Sequence, residues 1–153
     1  ANLTSAKLVE ADLYKSNLIM TKFDKANLTN ANIRRSKAKQ SSFINTTLLS
    51  AQMEEIDLCF SLMSFCNLQN ADLKDAKLEG VNLTGSNLKN ANLSNVDATS
   101  VNFTDVDMEG VNLSGANLTE ANLKYCKNLD KALLDKFTIL PQASLLPDGF
   151  EKK

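Results

Sequence analysis

The stretch GVNLSGANLTEANLKYC, residues 110–126, places Leu113, Leu118 and Leu123 five positions apart, each with Asn directly before it. Twenty-five positions in this register hold 16 Leu, three Phe, three Met, one Ile and two Ala. The residue two places before each of them is small or β-branched, and the remaining positions are mainly polar. Residues 1–125 are therefore an unbroken array of pentads.

Neither a helix nor a flat strand explains this period. A five-residue step turns a helix by roughly 500°, so that successive leucines would spiral around it without forming a stripe. In a flat strand, an odd step sends successive leucines to opposite faces. The chain must therefore bend once per pentad, and we expect a solenoid whose interior is lined by the central apolar residues and the small residues two places before them.

The number of pentads in one turn follows from residues that recur every 20 positions. Phe23, Phe43 and Phe103 share one column if a turn contains four pentads. Such a coil has about six complete turns, which at roughly 4.8 Å between strands gives a rod on the order of 29 Å long. We predict that Phe23 lies next to Phe43.

Charges repeat with the same period. Arg34, Glu54 and Lys74 alternate in sign at intervals of 20. Two further columns do the same, the first with Lys37, Asp57, Lys77 and Asp97, and the second, less perfectly, with Arg35, Glu55 and Asp75. Opposite charges on adjacent strands attract, whereas like charges there destabilise a sheet. We therefore predict that Arg34 lies next to Glu54.

The repeats resemble those of the pentapeptide-repeat proteins, whose motif is A(D/N)LXX. ANLTN at 26–30, ADLKD at 71–75 and ANLSN at 91–95 match this motif. The resemblance implies an all-β solenoid, a right-handed quadrilateral β-helix of about six coils over residues 1–125. The handedness rests on the resemblance alone.

The two ends of the solenoid need covering, because an open coil exposes apolar side chains and unpaired backbone groups. NLDKALLDKFTIL, residues 128–140, spaces its apolar residues near helical intervals, and Pro141 would end a helix. We predict a short capping helix over 126–140 and a tail over 141–153, with a dimerising role for this helix as the alternative. No cap is visible before Ala1, where a removed segment, a partner or a second copy would cover the first coil.

The composition argues against an enzyme. The chain has no His, so the commonest general base is absent and no nucleophile–His arrangement can form. DVDMEG, residues 105–110, imitates the start of a calcium loop, but its twelfth position is Ala116 instead of Glu. The four glycines at the last pentad position, Gly80, Gly85, Gly110 and Gly115, are interpreted as corners. We expect no catalytic residue, no metal and no cofactor.

Nucleic acid and membrane are not expected partners. The net charge is −1, and in the dense basic run RRSKAK, residues 34–39, three of the four charges would face Glu54, Glu55 and Asp57. No aromatic residues interleave with these charges to stack on bases. The longest apolar runs are far shorter than the roughly 20 residues of a membrane-spanning helix.

The cysteines favour a reducing compartment. Three Cys, at 59, 66 and 126, form neither a CxxC pair nor a disulfide framework. Cys66 and Cys126 share a column three turns apart, roughly 14 Å, and cannot be bridged. Cys59 is assigned an outward position. A soluble, cytoplasmic protein is favoured, with periplasm or an organelle lumen open in case a targeting segment has been removed.

An apolar anomaly lies between residues 44 and 65. Ile44, Phe60, Leu62 and Phe65 occupy positions that are polar in most other pentads, and the four-sided coil places them on one face or at its edge. Outward apolar patches often mark protein contacts. The alternative is local imperfection, in which the aromatic rings fold over a corner and cover backbone.

The leading functional hypothesis is a non-catalytic rigid repeat module that acts in protein–protein contact or as a structural spacer, with an unidentified protein partner. A monomer is favoured, and end-to-end dimers or dimers through the C-terminal helix are the alternatives. The family resemblance adds a second hypothesis, because some members protect DNA gyrase from quinolones by presenting a long, acidic, DNA-like rod. The repeats hold 12 basic and 14 acidic residues, a weak match to that requirement.

Overall fold

The computed structural model describes all 153 residues and consists mainly of a four-sided β-helix. Parallel β-bridges join each residue before a pentad centre to the residue 20 positions later, from Asn2–Lys22 to Asp107–Lys127. Every bridge is isolated, so each pentad contributes a single bridge residue and no longer strand forms. The prediction of four pentads per turn is confirmed. We number the coils from residue 1, so that coil 1 is 1–20 and coil 6 is 101–120.

Each pentad forms one side and one corner of the coil. The N–H of the central residue donates to the next coil, as from Leu3 to the Lys22 carbonyl at 2.7 Å, and the N–H of Lys22 donates back to the Ala1 carbonyl at 3.0 Å. A turn closes the corner, in which the N–H of Ala6 donates to the Leu3 carbonyl at 3.0 Å. These bonds connect each coil to the coils next to it.

Asn and Asp before the central residue complete the turn. The Asn2 Oδ1 atom accepts the N–H of Thr4 at 3.1 Å and its hydroxyl at 2.7 Å, and the same contacts recur along the rod. Asn and Asp form such bonds to the backbone two residues on more readily than other residues. This explains why Asn precedes Leu so often in the sequence.

The last residue of each pentad has a left-handed backbone. All 24 such positions from Ser5 to Glu120 have φ between 54° and 71°, and 20 of them are not glycine. The left-handed region costs a residue with a side chain roughly 1 kcal/mol or more. The bonds between coils therefore enforce this conformation at each corner.

The core is one cluster of 39 buried residues, and all but Leu129 are pentad centres or the small or β-branched residues in the column two places before them. Phe23 and Phe43 are neighbours, as predicted, and their rings stack with centroids 4.7 Å apart and planes 8° from parallel. Inward hydroxyls are satisfied by backbone, since the Ser36 Oγ donates to the Leu13 carbonyl at 2.7 Å. Cys66 takes the same role with its thiol, 2.8 Å from the Phe43 carbonyl.

The prediction of a capping helix over 126–140 is wrong. This segment continues the coil with extra residues, through bridges Asn112–Leu133 and Asn117–Ile139. The only helices in the chain are two 3-10 helices, Leu129–Lys131 and Ala143–Leu145. The N–H of Leu113 donates to the Leu133 carbonyl at 2.8 Å. An irregular coil satisfies such edge groups, whereas a helix would leave them without partners. No helix in the chain is both long and apolar enough to cross a bilayer.

Candidate protein-contact site

The apolar patch, defined as Ile44, Phe60, Leu62 and Phe65, is built on face 1, the side of the rod whose pentads are centred on residue 3 and every twentieth residue after it. Leu62 sits in the middle of this face, between its bridge partners Ser42 and Asn82. Its backbone is held on both sides, so its side chain must point outward. It is 47% exposed.

Phe60 and Phe65 occupy the two corners that flank Leu62. Both have the left-handed corner backbone, with φ of 61° and 58°. These two residues are 56% and 61% exposed. Ile44 is half-buried on the preceding coil, where its N–H donates to the Asp24 Oδ1 atom at 2.9 Å. The structure therefore places three projecting apolar side chains across one face, with Ile44 at the edge.

The two rings lie over glycines of the next coil. A Cβ atom built on Gly80 would be 2.6 Å from the Phe60 ring, and one built on Gly85 would be 2.6 Å from the Phe65 ring. Glycine is not needed here for its backbone freedom alone, because 20 other residues adopt the same corner. It is needed because the phenyl ring of the preceding coil fills the space in which a side chain at this corner would lie. The rings cover backbone, as one of our two interpretations expected, and each phenylalanine is still more than half exposed.

Other exposed apolar side chains lie toward the ends of the rod. They include three on the last coil that the sequence assigned to a helix, namely Leu133 at 58%, Phe137 at 67% and Ile139 at 54%. Leu133 and Ile139 take the outward bridge position that a polar residue, most often Asn or Asp, holds in nearly all other pentads. No sequence pattern distinguished this arrangement from a helix, because the extra residues in the last coil break the five-residue period.

Ion pairs link neighbouring coils, but not always as predicted. Arg35 pairs with Glu55 at 2.8 Å, and this contact raises the pKa of the exposed guanidinium. Arg34 and Glu54 line the same cleft, as their shared column predicted, but they form no ion pair. The Arg34 Nε atom instead donates to the Asn32 Oδ1 atom at 2.9 Å, and one Glu54 oxygen is buried without a partner.

The basic run 34–39 is only half neutralised. Lys39, and not the predicted Lys37, forms the ion pair with Asp57, at 3.3 Å. Arg34 and Lys37 have no acidic partner within 4.0 Å. The largest cleft in the chain, about 280 Å³, lies beside this run and is polar, with a lining of Tyr14, Arg34, Arg35, Glu54 and Glu55.

All three cysteines are buried and unpaired. Cys59 lies outside the core cluster, as its outward assignment predicted, but it is only 6% exposed, because its thiol lies beside the side chains of Asp57 and Lys39. Burial raises the pKa of Cys59 to about 11, that of Cys66 to about 12 and that of Cys126 to about 11. Such thiols are poor nucleophiles at neutral pH. No group of three or more His, Cys, Asp or Glu side chains could hold a metal ion.

Known proteins with similar structures have the same repeat architecture. HetL, a pentapeptide repeat protein involved in heterocyst differentiation regulation from the cyanobacterium Nostoc sp. strain PCC 7120, is 29% identical with a TM-score of 0.53; the similarity covers 82% of this chain and 60% of HetL. A trypsin-treated variant of QnrB1, a plasmid-mediated fluoroquinolone resistance protein, is 20% identical with a TM-score of 0.64, over 89% of this chain and 66% of QnrB1. The chain thus spans about two thirds or less of either relative.

The similarity to QnrB1 shows the fold alone. No curated protein sequence matches the chain significantly. The family model for pentapeptide repeats matches in eight copies, over residues 1–35, 26–64, 66–105 and 99–136. Members of this family form right-handed quadrilateral β-helices. The pentads, the 20-residue coil and the family match together show that the chain belongs to the pentapeptide repeat family.

Proposed function

We propose that this protein is a rigid, non-catalytic module that binds a protein partner through the apolar patch. The observation that carries the proposal is the projection of Phe60, Leu62 and Phe65 across one face in the middle of the rod, each about half or more exposed. Exposed apolar clusters on soluble domains mark contact surfaces, and aromatic residues contribute strongly to binding energy there.

The backbone under the patch favours this role. The N–H of Leu62 donates to the Ser41 carbonyl at 3.0 Å, and its carbonyl accepts the N–H of Phe43 at 2.7 Å. The Phe65 ring is set on the Gly85 corner. Because these groups are already fixed in the free protein, a partner would bind without a large cost of ordering them.

The surface charge favours protein contact over gyrase binding by DNA mimicry. A DNA mimic needs continuous negative potential along its length. Here acidic residues are interrupted by basic ones, and Lys89 bonds Glu109 at 2.9 Å and Asp107 at 3.3 Å. A supercoiling assay with and without a quinolone tests the alternative, and protection of gyrase at micromolar protein would favour it over our proposal.

The proposal is tested by affinity capture from cells with wild-type protein and the double variant Leu62→Asp, Phe65→Asp. A control variant, Asn122→Asp with Tyr125→Asp, places the same two Asp residues in the same two columns three coils away. Circular dichroism confirms that both variants fold. We expect proteins retained by the wild type and the control to be absent with the patch variant, as measured by quantitative mass spectrometry. Identical sets of proteins for all three would contradict the proposal.

A further inference from the structure

We infer that the apolar patch joins two copies of this chain, with face 1 of one copy packed antiparallel against face 1 of the other. This inference rests on the proposed role of the patch in protein contact and names the partner. The two-fold axis would cross face 1 at the level of Leu62, perpendicular to the rod. Such an interface uses the same surface twice, so face 1 must be complementary to itself.

Residues at equal distances along the rod before and after the patch would meet across this axis. Lys25 and Asp105 stand in the corner column of Phe65, each 40 residues and therefore two coils away from it. Both are exposed, and neither forms an ion pair within the chain. In the antiparallel arrangement, Lys25 of each copy lies opposite Asp105 of the other, which gives two intermolecular pairs.

The opposite edge of face 1 adds a second set of opposite charges, although Lys39 also pairs with Asp57 within the chain. Lys39 and Glu79 lie one coil before and one coil after Cys59 in a single column. Lys39 of one copy therefore lies level with Glu79 of the other. Lys22, in the middle of the face, meets Asn102 and not a second cation. No position on face 1 brings two like charges together in this arrangement.

The parallel alternative lacks this complementarity. If the two rods ran in the same direction, each residue in the middle of face 1 would meet its own copy. Lys22 would then lie against Lys22 of the second copy, and Lys25 would face Ile19 instead of Asp105. Like charges placed directly opposite each other destabilise an interface. The charge pattern therefore selects the antiparallel arrangement.

The shape of the patch agrees with the antiparallel arrangement. The Phe65 ring is displaced toward coil 5, because it lies over Gly85. In an antiparallel pair, coil 5 of one copy is level with coil 3 of the other, where Asn45 occupies the same corner. Each ring therefore meets a corner that carries no ring, and the two Phe65 rings pass side by side.

The contact is narrow, so the dimer should be weak. From Lys25 to Asp105 the interface spans four coil spacings, roughly 19 Å. One face of that length buries less than the roughly 1,200 Å² that is usual for stable complexes. We therefore expect a dissociation constant in the micromolar range.

Sedimentation velocity of the 153-residue chain, from a few micromolar to several hundred micromolar, tests the inference. The wild type should shift toward a dimer as concentration rises. Lys25→Asp and Asp105→Lys, each alone, should weaken the dimer roughly tenfold, because each single change opposes like charges twice. The double variant with both changes should recover wild-type affinity. Lys74→Asp, an exposed and unpaired lysine on another face, is the matched control and should have no effect.

The outcomes separate this inference from the proposed function. A wild type that stays monomeric throughout, or a dimer that Lys25→Asp and Lys74→Asp weaken equally, would overturn the antiparallel dimer. Either result leaves the proposed function intact if the patch variant still loses a different captured protein. Recovery in the double variant is not expected for a different protein bound at the patch, or for a parallel dimer.

Discussion

The phenyl ring of Phe65 lies against the backbone of Gly85, one coil further along the rod, so closely that a Cβ atom on Gly85 would be 2.6 Å from the ring. The same relationship joins Phe60 to Gly80. A phenylalanine at one corner therefore requires a glycine at the corner 20 positions later, because the ring occupies the space of a side chain there. This coupling can be measured.

Gly85→Ala should destabilise the wild type more than it destabilises a Phe65→Ala variant. In both backgrounds alanine carries the cost of a left-handed backbone, roughly 1 kcal/mol. In the wild type it must also displace the ring, which adds about 1 kcal/mol. Urea denaturation of the four proteins in this double-mutant cycle gives the coupling free energy. A coupling near zero would show that the ring moves aside at no cost.

Phe43→Ala should destabilise the coil by about 3–5 kcal/mol, because it leaves a cavity in the stack with Phe23 inside a fully buried core. Phe65→Ala removes a ring of the same size from the surface and should cost about 1 kcal/mol or less. Urea denaturation monitored by circular dichroism compares the two. Equal losses would contradict the burial difference between these phenylalanines.

Asn82→Ala should destabilise the protein by about 1 kcal/mol, because the Thr84 N–H, 3.1 Å from the Asn82 Oδ1 atom, loses its acceptor. Asn82→Asp keeps a carboxylate oxygen at the same place and serves as the control. Thermal melts of the three proteins test this. If the Asp variant were as unstable as the Ala variant, the turn contact would not be the cause.

Stability should fall as pH rises above about 9. The Cys66 pKa, about 12 in the folded protein because of burial, exceeds its ordinary value of 9.0. The unfolded chain therefore releases the thiol proton first, so the stabilisation is complete below pH 9 and is lost as pH rises toward 12. Cys66→Ser, which restores the hydroxyl found at this position in other coils, should lose less stability between pH 8 and pH 10. Urea midpoints at both pH values measure the difference, and equal losses would contradict it.

Most of the fold follows from the sequence because one constraint repeats 25 times. One irregular pentad does not change the period, so the contacts of Phe23 with Phe43 and of Arg35 with Glu55 were predictable. Arg34 was not, because a long side chain can choose between Glu54 in the next coil and Asn32 in its own pentad. The five-residue period determines which residues share a column, but it does not determine which neighbouring side chain each of them contacts.

The last coil could not be predicted, because near-helical apolar spacing also suits an irregular coil with extra residues. The three residues of Leu129–Lys131 form its only 3-10 turn before Pro141. The exposed members of the patch were predictable from their columns. A further pattern in the sequence was available as well, since Gly80 and Gly85 follow Phe60 and Phe65 by 20 positions each.

The 20-residue coil has a consequence for how the length of this protein can change. Removing or duplicating a whole coil, such as 81–100, would return every later residue to its original side and only shorten or lengthen the rod. Removing a single pentad would instead rotate everything after it by a quarter turn, so that Tyr125 and the last coil would move to a different side relative to Leu62. Length changes in multiples of 20 residues therefore keep every residue on its original side of the rod. Changes by other multiples of five move the later residues to different sides.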